Sequence, residues 1–101
     1  MLIEQIRYYF DEDNRDAVLD ARREESRIRA DLRIPAGVIL LPDESPAEKP
    51  FIAWQCGYGD ESEMGNAEQA LLGSEGYREV RNRIAGLATT VEVELYVTDE
   101  D

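Results

Sequence analysis

Six side chains carry the chemistry open to this sequence: Tyr8, Glu25, Trp54, Tyr58, Tyr77 and Arg81. Glu25 falls between Ala21 and Ile28 on the stripe of a predicted helix. An acid there can turn into a cleft, where partial desolvation suits a carboxylate to general-base work. It can equally lean outward and pair with Arg29 at i+4 or Arg22 at i−3, the commoner fate of a helical acid. Trp54, Cys56 and Tyr58 share one side of a predicted strand, and Tyr8 joins them from another. Aromatic groups with polar tips offer a flat organic ligand apolar area plus a hydroxyl or indole N–H to orient it. The same groups also build ordinary cores and subunit interfaces. An arginine at a cleft rim, Arg81 beside Tyr77, can hold a substrate carboxylate through two parallel bonds, although pairing with Glu75 or Glu79 explains Arg78 and Arg81 as readily. Glu25 is thus the catalytic candidate, and Tyr8, Trp54, Tyr58, Tyr77 and Arg81 are the ligand-binding candidates.

The composition narrows the chemistry further. The 101 residues hold 23 acids against 11 bases and carry a formal charge of −12. That balance repels nucleic acid and anionic membrane surfaces, whose recognition is built on Lys and Arg. There is no histidine, so Ser-His-Asp triads, histidine-ligated zinc and a proximal haem histidine are excluded. The single Cys56 has no CxxC spacing and no neighbouring base, and reads as a buried, inert thiol. The acidic clusters at 11–13, 60–63 and 99–101 lack a calcium-loop pattern and serve capping and solubility, so no metal or cofactor is expected. No basic segment precedes an apolar run at the N-terminus, and no run is long enough to span a bilayer. The expected setting is the cytoplasm.

These residues must be positioned by six elements. Residues 2–10 alternate, with Leu2, Glu4, Ile6, Tyr8 and Phe10 on one face, and predict a strand. The acids at 11–13 with Asn14 supply N-caps for a helix over 15–32, whose apolar stripe of Ala17, Val18, Ala21, Ile28 and Leu32 is thin. Arg22, Arg23, Arg27 and Arg29 are expected on its mixed-charge exposed face. Val38 to Leu41 reads as a short buried strand, and 43–50 as a loop or hairpin connection. A strand follows over 51–58. The stretch 62–87 is helical but broken near Gly73, with Asp60 or Ser62 capping the first piece and Ser74 starting the second. In 91–97 the residues Val91, Val93, Leu95 and Val97 alternate with polar groups, which predicts a strand with one buried face. The tail 99–101 is expected to fray.

Strand, helix, strand, strand, helix, strand is the order of a ferredoxin-like α+β sandwich: one domain over 1–101, a four-stranded antiparallel sheet with helices on one face. The first and last strands are then neighbours, so Arg7 is expected opposite Glu92 or Glu94. The other sheet face, with Tyr9 and Tyr96, is too apolar for water, which predicts a homodimer through that face.

The segments MLIEQIRYYF, Gly37 to Leu41, FIAWQCGY and LLGSEGYREVRNRIAGLATTVEVELYV resemble the dimeric α/β-barrel superfamily, and within it the NIPSNAP-like proteins. The resemblance covers nearly the whole chain and is one of layout, without a diagnostic catalytic motif. It implies a ligand cleft between helices and sheet. It also implies relatives that include cofactor-free monooxygenases, haem-degrading enzymes, isomerases and proteins without known activity. The missing histidine argues against the histidine-ligated haem branch. Two readings follow: a small cytoplasmic dimer binding a hydrophobic or aromatic molecule, as a cofactor-independent monooxygenase or isomerase, or a non-catalytic interaction or assembly module. A roomy cleft with convergent polar groups favours the first, and a closed, fully packed core the second.

Overall fold

The computed structural model describes residues 1–43 and 50–99; most of the connection expected at 43–50, and the last two residues of the tail, lie outside them. The strands are β1 (Leu2–Phe10), β2 (Val38–Leu40), β3 (Phe51–Tyr58) and β4 (Ala88–Val97), and the helices are α1 (Arg15–Asp31), α2 (Glu61–Leu72) and α3 (Glu75–Leu87). The strands form one antiparallel sheet in the order β2-β3-β1-β4, the expected α+β ferredoxin-like arrangement.

Period-two alternation sets the two faces. Tyr8 lies opposite Ile52 and Val91, and Ile6 opposite Trp54 and Val93, so these side chains share the helix side. Arg7 lies opposite Ala53 and Glu92, and Tyr9 opposite Phe51 and Thr90, on the open side. The core is therefore Tyr8, Phe10, Ile52, Trp54, Cys56 and Tyr58 from the sheet, packed against Val18 and Ala21 of α1, Ala67 of α2, and Val80 and Ile84 of α3.

The break between α2 and α3 falls at Gly73 and Ser74. The Asp60 carboxylate accepts from Glu63 N at 2.8 Å while Glu63 accepts from Gly59 N at 2.9 Å, a reciprocal cap that starts α2. Ser74 Oγ accepts from Tyr77 N at 3.1 Å and starts α3. The entry to α1 differs from the expectation. Neither Asp11 nor Asn14 caps through its side chain; the chain enters through a 3-10 turn over Glu12–Asn14, tied by an Arg15–Glu12 ion pair at 2.7 Å.

Three further expectations are corrected. β2 is an exposed edge strand, with Val38 at 55% and Leu40 at 39% exposure, because it pairs only with β3 and turns only Ile39 toward the helices. On α1, Ala17 is exposed while Arg22 and Arg29 are buried, at 1% and 5% exposure. The apolar stripe is too thin to fill the face that α1 lays on the sheet, and the arginines complete it with their aliphatic stems and guanidinium planes. The valines of β4 point to the helix side, yet Val93 and Val97 are 57% and 75% exposed. Alternation decides which way a strand's residues point; how far the helices reach across the sheet is a separate matter, and here they stop short of β4.

Candidate functional site

Where the helices stop short of β4, a cavity of about 510 Å³ opens between helices and sheet. Its floor is Ile6, Tyr8 and Trp54 of the sheet, with Val91 and Val93 at one side. α1 contributes Glu25 and Arg29, α2 Leu71 and Leu72, and α3 Tyr77, Arg81 and Ile84. Of the six sequence candidates, Tyr8, Glu25, Trp54, Tyr77 and Arg81 meet in this one cavity. Tyr58 is not among the lining side chains; it is buried behind Arg29 and accepts a hydrogen bond from Arg29 Nη1 at 3.2 Å.

A buried polar layer supports the floor. Arg22 Nη1 pairs with Glu25 Oε2 at 2.6 Å and donates to the Tyr8 hydroxyl at 3.2 Å. Glu25 thus pairs at i−3 as one expectation held, but inward, with 6% exposure. Arg29 Nη1 donates to Pro35 O at 3.0 Å as well as to Tyr58, and the Tyr58 hydroxyl donates to Glu4 Oε1 at 3.3 Å. Both guanidinium carbons approach the Trp54 ring, Arg22 at 4.3 Å and Arg29 at 4.4 Å from its centroid. Such contacts offset part of the cost of burying a cation.

Trp54 is itself held from the other end. Its indole N–H donates to Ala36 O at 2.9 Å. The chain passes so close that a Cβ on Gly37, whose φ is +70°, would lie 2.5 Å from Trp54 Nε1. Only glycine fits both that conformation and that approach.

Burial pushes the Tyr8 phenol up to about 12, against the opposing pull of Arg22. The Tyr58 phenol is raised further, again mainly by burial, and the Cys56 thiol is raised for the same reason. Both phenols remain protonated donors at neutral pH, and Cys56 is a buried thiol. Arg81 is exposed at the rim, its Nη1 donating to the Tyr77 hydroxyl at 3.4 Å. Among the described residues no group of His, Cys, Asp and Glu is arranged to hold a metal ion, and no helix is long and apolar enough to cross a membrane.

Sequence reasoning missed Arg22, Arg29 and Glu4. The signal for the two arginines was available: Arg22, Glu25 and Arg29 recur at the same helical spacing as Val18, Ala21 and Ile28, so the charged residues belong to the stripe.

No family model matches the sequence, and no curated protein matches it. Solved structures do match the fold. An uncharacterised NIPSNAP domain protein from Burkholderia xenovorans superposes with a TM-score of 0.80 at 16% identity, covering 99% of this chain and 96% of its own. A NIPSNAP family protein from Agrobacterium tumefaciens gives 0.77 at 17% identity, with 98% and 86% covered. A structure described as an antibiotic biosynthesis monooxygenase gives 0.75 at 14% identity, with 98% and 99% covered. The chain therefore has the fold that these proteins share, and at such identities the likeness speaks for the fold alone.

Proposed function

We propose that this single-domain chain is a small cytoplasmic homodimer that binds a hydrophobic or aromatic molecule in the cleft between helices and sheet. In this reading Glu25 takes a proton from the ligand although Arg22 holds it in an ion pair, the chemistry of a cofactor-independent monooxygenase or isomerase. The observation that carries it is the cavity itself. Its 510 Å³ falls within the range of about 300–1,000 Å³ typical of small-molecule sites. Its walls are mainly apolar, with Tyr8, Glu25, Arg29 and Tyr77 converging on them. An assembly module that used the same aromatic groups as core would have packed this space shut. The monooxygenase among the structural neighbours lends its class to the proposal, and the NIPSNAP proteins lend the fold.

The homodimer rests on the open sheet face. There Tyr9 and Phe51 meet as tilted rings at 5.6 Å between centroids, Arg7 lies 5.2 Å over Phe51, and Tyr96 is 46% exposed. A second copy would cover a face of that character better than water does.

The test is a thermal-shift screen of aromatic acids, neutral aromatic compounds and quinones against the wild type and a variant with the cavity filled, Ala85→Trp, since Ala85 lines the cleft yet is exposed on α3. Compounds that raise the wild-type midpoint should lose their effect in Ala85→Trp. A screen without a single response, or responses that survive the filled cavity, would sink the cleft as a ligand site.

A further inference from the structure

The cavity wall carries a positive charge that none of the described acids answers. Glu25 is the ion-pair partner of Arg22. Arg29, 5% exposed, has no ion pair among the described residues. Its Nη1 is used by Pro35 O and the Tyr58 hydroxyl, its Nη2 makes no bond to a described residue, and its Nε is buried with no partner among them. Glu4 is linked to Arg29 only through the Tyr58 hydroxyl. A buried cation in that state is strongly unfavourable unless an anion arrives, and the Trp54 ring that softens it is shared with Arg22.

A second donor stands in the same cavity. The Tyr8 hydroxyl accepts from Arg22 and donates to none of the described residues, so its proton is left for a bound molecule. The remaining acids of the cavity do not compete for Arg29: Glu25 is held by Arg22, Glu4 accepts from Tyr58, and Glu68 is exposed on α2.

We propose that the cleft takes an aromatic or hydrophobic carboxylic acid, its carboxylate bonded by the Arg29 guanidinium and the Tyr8 hydroxyl and its apolar body lying against Trp54, Leu71 and Ile84. The proposal rests on the reading of the cleft as a ligand site and names the class of ligand. A carboxylate meets a guanidinium with two acceptor oxygens and an opposite charge, whereas a primary amide of the same shape brings one acceptor and no charge.

The experiment compares three aromatic acids, 4-tert-butylbenzoate, 2-naphthoate and 2-anthroate, with their primary amides. Binding is followed by calorimetry and by the emission of Trp54, the chain's one tryptophan and part of the cavity floor. At least one acid should bind roughly tenfold or more tighter than its amide. Arg29→Met should bring that acid down to the level of the amide, with Arg29→Lys in between. The ligand-free Arg29→Met protein should melt no lower than the wild type, since it loses an unpaired buried charge. Equal binding of acid and amide, or an acid preference that survives Arg29→Met, overturns the carboxylate proposal and leaves the cleft intact. No binding by any acid or amide overturns both. If Arg29→Met does not fold, the wild-type preference and its weakening in Tyr8→Phe decide the matter.

Discussion

Glu25→Gln keeps the shape of the side chain and removes its charge, which leaves Arg22 buried at 1% exposure without an anion. Removing one partner of a buried pair costs about 3–5 kcal/mol, because the other charge stays behind unpaired. Here the Tyr8 hydroxyl at 3.2 Å and the Trp54 ring at 4.3 Å remain against Arg22, which argues for the low end, about 3 kcal/mol. For 101 residues the unfolding entropy is about 210 cal/mol/K, so that loss lowers the midpoint by about 14 °C. Taking out both charges, with Arg22→Met and Glu25→Leu together, removes the desolvation cost as well and should return the protein close to wild-type stability. The assay is urea denaturation of the wild type, Glu25→Gln, the single variants Arg22→Met and Glu25→Leu and their double variant at one protein concentration, with a common slope as the check that the unfolding reaction is the same. The coupling should reach at least about 2 kcal/mol. A Glu25→Gln cost under about 1 kcal/mol, or a double variant no more stable than its worse parent, would falsify the reading of Glu25 as the counter-charge of Arg22.

Gly37→Ala should cost about 3 kcal/mol, from a positive φ and from the collision with Trp54 Nε1 that breaks its bond to Ala36. Gly86→Ala, where an added Cβ meets nothing within 4 Å, should instead gain about 0.5–1 kcal/mol; chemical denaturation measures both. Stability should fall as pH rises from about 10 to about 12, because the folded state holds the Tyr8 proton after the unfolded chain has released its own. A shift of about two units makes that loss roughly 2–3 kcal/mol from Tyr8, and Tyr8→Phe should lessen the slope in denaturation curves taken across that window, leaving the part due to Tyr58. Light scattering should give the mass of two chains, with Tyr9→Lys on the open sheet face halving it and Val97→Glu on the helix side of β4 leaving it unchanged. A monomeric wild type at micromolar concentration is the result that rules the homodimer out.

The strands were legible because period two needs no partner to be recognised. β1 and β3 begin and end where their alternation does, and the strand order follows from the order of elements. The break between α2 and α3 was equally plain, since Gly73 and Ser74 announce a stop and a cap together. What the sequence hid was coverage. Val91, Val93, Leu95 and Val97 read as the buried side of a strand because apolar residues there ordinarily meet helices; the alternation is the same when the helices lie over β3 and β1 instead. The cavity exists because of that shortfall, so the one feature on which the proposed ligand site rests is the one that periodicity does not encode.

The arginines of α1 were hidden for a different reason, and it bears on how such sites are found. A guanidinium on a helix counts as exposed by default, since burying a charge needs a partner that a local pattern does not display. The partners here are distant in sequence: Tyr8 and Tyr58 as hydroxyls, Trp54 as a ring face, with only Glu25 on the same helix. Yet α1 gave a warning of its own. A helix that must cover a sheet bearing Trp54 and Tyr58 needs bulk on its inner face, and Val18, Ala21 and Ile28 supply too little of it. Arg22, Glu25 and Arg29 occupy the remaining positions of the same stripe, so the deficit of apolar residues and the surplus of charge are one fact. Where a stripe is too thin for the sheet beneath it, the charged residues at its spacing are the first candidates for a buried network, and one without an ion pair among the described residues, as Arg29 is, is the first to test against a ligand of opposite charge.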